Sequence, residues 1–154
     1  LSTQLQADPW YDPRYSIPLF GMILGNTMTG VSLGLNTLSS QVSRERSSIE
    51  AQLALGEPFG RAIRPLLRRA ARSGLIPTVN AMAAVGLVML PGMMTGQILS
   101  GVDPVEAIKY QMLVMFLIGG GTGLGVIAAI QLGAYRLTDE RHRLRLDRLA
   151  PAKE

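Results

Sequence analysis

The chain of 154 residues is 47% hydrophobic and only 17% charged, and it contains 17 glycines, 8 methionines and no cysteine. Lack of cysteine excludes disulfides and thiolate metal sites, and so apolar a composition argues against an ordinary soluble domain. The formal charge of +4 at pH 7 sits on arginines that flank apolar stretches, which points to a membrane surface and away from nucleic acid.

Residues 1–16 form an extracytoplasmic or interfacial approach. Trp10, Tyr11 and Tyr15 are amphipathic rings of the kind that sit at headgroup level. Residues 17–38 carry no charge and are about long enough for a ~30 Å hydrocarbon core. Within them Gly21, Gly25, Thr29, Ser32 and Asn36 recur at steps of three and four. That spacing places them on one helical face, and Gly21 and Gly25 predict close helix packing there.

Residues 39–73 read as a cytoplasmic helical loop. Arg44, Arg46, Arg61, Arg64, Arg68, Arg69 and Arg72 outnumber Glu45, Glu50 and Glu57. Ser47 and Glu50 match a capping box, Gly56 is placed to stop the helix, and Pro58 follows. A second, amphipathic helix is expected over 59–73, with Arg61, Arg64, Arg68 and Arg72 on one side and Ile63, Leu67 and Ala70 on another.

A second span is expected over 75–99, broken near Pro91. Gly92 and Gly96 make a small-residue pair in it. Residues 100–111 give a tight outer turn around Asp103 and the start of a helix. The third span is expected over 112–134, with Gly121 and Gly125 on its packing face, and residues 135–154 form a basic tail. Arginine asymmetry sets the orientation: the loop and the tail lie in the cytoplasm, the N-terminus and the Asp103 turn outside. The fold class is therefore all-α integral membrane, with three transmembrane helices and one cytoplasmic helical coupling loop.

No ionisable residue lies well inside any span, so a transport path in this portion falls to neutral polar groups: Asn26, Thr29, Asn36, Asn80 and Gln97. Interhelical hydrogen bonding is the ordinary alternative for each. Met89, Met93 and Met94 surround Pro91, with Met112 and Met115 further on; such residues ordinarily fill packing gaps, and no metal site is assigned to them. The stretch GGGTGLG, from Gly119 to Gly125, lacks the Lys-Ser/Thr of a phosphate loop and follows an apolar helix rather than a strand. His142 sits in a polar tail. No nucleophile, base and orienting group converge, so neither catalysis nor a bound cofactor is expected.

The stretch EAQLALG, from Glu50 to Gly56, followed by an arginine-rich run, resembles the cytoplasmic coupling loop of ABC transporter permeases. Gln52 departs from the second alanine of that pattern. Read with DPRYSIPLFGMILGNTMTG, LALGEPFGRAIRPLLRRAARSGLIP, PGMMTGQILSG and MLVMFLIGGGTGLG, the chain resembles the bacterial iron-export ABC permease family, related to plant half-transporters linked to aluminium tolerance. The resemblance covers about Asp8 to Arg136 and implies the C-terminal part of a longer permease. It further implies a homodimer in the bacterial inner membrane that exports iron or serves metal homeostasis. A separate cytoplasmic ABC ATPase would bind and hydrolyse the ATP, contacting Glu50, Ala51, Leu53, Leu55, Gly56, Arg61 and Arg64. A permease for another solute, and a non-transporting scaffold whose basic loop binds lipid headgroups, remain alternatives.

Overall fold

The computed structural model describes residues 13–85 and 91–137, with side chains from residue 17 onward. Trp10, Tyr11, the Tyr15 side chain, Met89, residues 86–90 of the expected middle span and the tail with His142 lie outside the described residues. Within the described range the elements are α1 (Pro13–Arg44), α2 (Arg46–Ala54), α3 (Phe59–Ala62), α4 (Arg64–Ala84), α5 (Gly92–Leu99) and α6 (Pro104–Arg136).

Two of these helices are long and apolar enough to cross a membrane: 28 residues from Ile17 to Arg44, and 33 from Pro104 to Arg136. At 1.5 Å per residue they reach about 42 and 50 Å, past a ~30 Å hydrocarbon core. The expected middle span is described only in part, as the second half of α4 and all of α5. The boundary expected near Ser73 is absent, because α4 runs unbroken from the arginines through Pro77 to Ala84. The arginine helix and the start of the expected middle span are one continuous helix. That helix starts at Arg64 rather than Phe59, with Pro65 in its first turn, where a missing N–H leaves no bond unmade.

Helices α1 and α6 run parallel, because ideal Cβ positions at Gly121, Gly125 and Gly133 fall against Ile23, Thr27 and Leu35 in turn. Helix α4 is antiparallel to both: its Gly74 meets Gly30 and Val126, while Met82 meets Gly119. The closest backbone-on-backbone approach is between α4 and α1. A Cβ at Gly74 would lie 2.7 Å from the Gly30 carbonyl oxygen, and one at Gly30 would lie 2.9 Å from the Gly74 carbonyl oxygen.

Within the described residues the expected packing faces differ in what they meet. A Cβ at Gly21, Gly25, Gly92 or Gly96 would meet open space, and Thr29, Ser32 and Asn36 are exposed. Helix α1 instead turns Gly30, Gly34 and Leu38 inward. Gly121 and Gly125 do face α1.

The largest apolar core lies at the arginine-bearing end, where Leu38, Val42, Ile49, Phe59, Ile63, Leu66, Ile130 and Leu137 are buried together. Removing one such side chain from water contributes about 1.5–3 kcal/mol. Further along, the outward faces are apolar: Phe20, Met28, Phe116 and Leu124 are each more than 60% exposed. In water that surface would be a liability; against acyl chains it is the expected exterior.

At the opposite end α5 stops at Gly101, whose φ is +87°. The Gly101 and Val102 amides donate back to the Ile98 and Gln97 carbonyls, the paired bonds of a Schellman stop. The Asp103 carboxylate then accepts from the Val105 amide at 2.8 Å, capping α6, with Pro104 pre-set at its first position.

Candidate functional site

Two short helices, α2 and α3, join α1 to α4 at the arginine-bearing end. Helix α2 follows α1 with almost no interruption: the Glu45 amide donates to the Gln41 carbonyl at 2.9 Å, and the Ile49 amide to the Glu45 carbonyl at 3.0 Å. The helical ladder thus runs on through Glu45, and Ser47 already lies inside α2. The capping box expected of Ser47 and Glu50 does not form; the N-cap is Glu45 and makes no side-chain cap bond. Glu50 pairs with Arg46 instead, at 2.8 Å. Both side chains are about half exposed, so the pair contributes about 0.5 kcal/mol or less.

The helix stops where the sequence marks it. Gly56 has φ +87°, and the Gly56 and Glu57 amides donate to the Leu53 and Gln52 carbonyls at 3.0 and 3.1 Å. This is again a Schellman stop, and it needs a residue that tolerates the left-handed region. The chain turns back through Pro58, and Phe59, Ala62 and Ile63 enter the core.

Ile49 is buried and Leu53 packs partly against the core, so Leu53 supports α2 from below rather than forming its surface. Glu50, Ala51 and Ala54 face outward, and Leu55 is 88% exposed beside the Gly56 corner. The result is a small projecting ridge with an uncharged apolar tip, held on a packed base. A second tie fixes it laterally, because the Arg69 guanidinium of α4 grips both carboxylate oxygens of Glu45. Arg61 pairs with Glu57 at 3.3 Å, and Arg64 is exposed.

The polar candidates in the spans are not gathered into one group. Asn26 Nδ2 donates to the Met22 carbonyl at 2.8 Å and Thr29 Oγ1 to the Gly25 carbonyl at 3.0 Å, each within its own helix. Asn26, Thr29 and Asn36 share the outer side of α1, Asn80 is exposed on α4, and Gln97 is half-buried on α5. No hydrogen bond joins any two of the five among the described residues. Gly119 to Gly125 lie inside α6, where their amides are spent on the helix ladder, which excludes a phosphate loop. The described residues contain no cluster of three His, Asp or Glu side chains able to hold a metal. Met93, Met94 and Met115 are half-buried and Met112 is exposed.

Sequence reasoning missed the crossing at Gly30, Gly34 and Gly74. It also missed Thr122, fully buried beside Gly30 with its hydroxyl unpartnered. The available signal for the crossing was the second four-residue glycine step, Gly30 to Gly34.

A family model described as "Uncharacterised protein family (UPF0014)" matches residues 1–138. A UPF0014 membrane protein of Synechocystis sp. is 48% identical over 139 residues, covering 90% of this chain and 53% of the relative. The probable iron export permease protein FetB of Escherichia coli is 43% identical over 132 residues, covering 86% of this chain and 51% of the relative. The protein ALUMINUM SENSITIVE 3 of Arabidopsis thaliana is 35% identical over 122 residues, covering 79% and 45%. The chain thus spans about half the length of the curated relatives it matches. No solved structure matches it.

Proposed function

The chain belongs to the UPF0014 family of membrane proteins, and from that premise we propose that it is part of a permease driven by a separate cytoplasmic ABC ATPase. The observation that carries this reading is the ridge of α2. It pairs an 88% exposed Leu55, at the C-cap, with a buried Ile49 on the short helix itself, and an apolar tip on a rigid base is suited to docking in a partner's groove. Glu50, Ala51, Leu55 and Gly56 form the docking surface, Leu53 steadies it, and Arg61 and Arg64 flank it. Motion received there passes along α4 as a rigid body, because a packed helix moves as a unit. The partner binds and hydrolyses ATP; this chain contributes no catalytic group and no cofactor.

The substrate we assign is iron, or a metal-linked solute exported from the cell. The support is the FetB relative, named a probable iron export permease protein, together with the name ALUMINUM SENSITIVE 3 of the plant relative. Asn26, Thr29 and Asn36, on the open polar side of α1, are the groups offered to the path, with Asn80 and Gln97 beyond. A homodimer in the bacterial inner membrane, with the arginine-bearing end in the cytoplasm, completes the reading.

The test is co-purification of the full-length protein with its ATPase, followed by substrate-stimulated ATP hydrolysis in lipid vesicles. Gly56→Val places a β-branched residue at φ +87° and should misdirect the ridge while leaving insertion intact. Loss of partner binding, or binding without coupled hydrolysis, is expected. Intact coupled transport in both Gly56→Val and Ala54→Pro would remove the ridge from the coupling path.

A further inference from the structure

We propose that the outward face of α4 is a site for anionic phospholipid headgroups, with Arg68 and Arg72 as its ligands and Arg64 continuing the row toward water. The six arginines of α2, α3 and α4 divide into two groups. Arg46, Arg61 and Arg69 each hold a glutamate. Arg64, Arg68 and Arg72 are exposed and have no ion pair among the described residues. Their spacing of four residues puts them in one row, about 6 Å apart along the axis.

That row does not end in water. On the same unbroken helix it runs on to Ile76, 45% exposed, and Val79, 59% exposed, about one and two turns beyond Arg72. A single straight face therefore changes from cationic to apolar within about 6 Å. A bilayer presents phosphates and then acyl chains over a distance of this order, its headgroup layer being roughly 5–8 Å deep on each side. An acidic groove on a protein would match the arginines but not the apolar continuation. Guanidinium forks bind phosphate oxygens two at a time, and their aliphatic stems lie along apolar surface.

The experiment uses the full-length protein in nanodiscs of phosphatidylcholine with a minority of phosphatidylglycerol, and reads the enrichment of phosphatidylglycerol in the lipid retained by the purified protein. R68Q/R72Q should lose about fivefold in enrichment per arginine, the factor given by about 1 kcal/mol per basic residue at an anionic surface. K109Q, at the other end of the molecule, should lose none. R68K/R72K keeps the charge and removes the forked geometry, so it should fall between the two and keeps the test decisive if R68Q/R72Q does not fold. Inorganic phosphate in large excess should leave the enrichment unchanged. Unaltered enrichment in R68Q/R72Q, or displacement of the lipid by inorganic phosphate alone, would overturn the assignment. So would unaltered enrichment accompanied by loss of an acidic protein partner, which would make the row a protein-docking face. These readouts need no transport activity, so they stand or fall separately from the permease reading.

Discussion

Replacing Gly74 with alanine should damage the molecule where the backbones of α1 and α4 come closest. The new methyl would stand 2.7 Å from the Gly30 carbonyl oxygen and 2.8 Å from Val126 Cγ1. Carbon–oxygen contacts settle near 3.3 Å, so α1 and α4 must part by about 0.6 Å. Neither obstacle can swing away, since one is helix backbone and the other a β-branched side chain inside the core. Overpacking of this kind costs about 1–3 kcal/mol, a shift of roughly 5- to 150-fold in the folding equilibrium. Gly30→Ala meets the same contact from the other side, at 2.9 Å. Once one methyl has forced the helices apart, the second costs less, so the double variant should fall short of the sum. Gly21→Ala in the same α1 is the control: nothing lies within 4 Å, and alanine in a helix interior should be neutral or stabilising by up to about 1 kcal/mol. The assay is helix loss followed by circular dichroism as sodium dodecyl sulfate is titrated into mixed micelles. Wild-type stability in Gly74→Ala, or equal effects at Gly74 and Gly21, would refute the backbone crossing.

Ile63→Ala should lower stability by about 2–5 kcal/mol in the same titration, because Ile63 is 1% exposed. Leu55→Ala, at 88% exposure, should change it by less than about 0.5 kcal/mol; comparable losses would contradict the division of the ridge into base and tip. A double-mutant cycle of Glu45→Gln and Arg69→Gln should give a coupling of no more than about 1 kcal/mol, because the two side chains are 35% and 51% exposed; a much larger value would mean the tie carries the fold. A cysteine at Ser47 should be labelled by impermeant maleimide only from the cytoplasmic side and one at Val102 only from outside; the reverse pattern would invert the topology.

Much of this architecture was legible residue by residue. The outer spans stood out because charge-free apolar runs have few other homes, and the stop at Gly56 because glycine before Glu-Pro suits the left-handed region that ends a helix. Rotation about the helix axis was not legible. Helix α1 carries two glycine steps of four, Gly21–Gly25 and Gly30–Gly34. The five residues from Gly25 to Gly30 turn the helix by about 140°, so the steps look in different directions, and spacing alone cannot say which one meets a neighbour. The capping box failed for a different reason: α1 continues to Arg44 and α2 starts at Arg46, so Ser47 lies inside the helix and the Ile49 amide donates to the Glu45 carbonyl. The boundary expected near Ser73 is bridged because packing of α4 against both long helices holds it as one helix through Pro77. In the candidate site, the residue types of the ridge were visible, whereas the inward turn of Leu53 depends on the core beneath it.

Docking of the α2 ridge on an ATPase is tested most directly at its tip. A photo-crosslinking amino acid in place of Leu55, in the full-length protein coexpressed with its ATP-binding cassette subunit, reports contact without relying on loss of function. Phe116, 67% exposed within α6, serves as the lipid-facing reference position. Expected is an adduct between position 55 and the ATP-binding subunit, whose yield changes with nucleotide, and no protein adduct with that subunit from position 116. Irradiation that joins position 55 only to lipid or not at all, while the ATP-binding subunit remains bound, would contradict docking at the ridge.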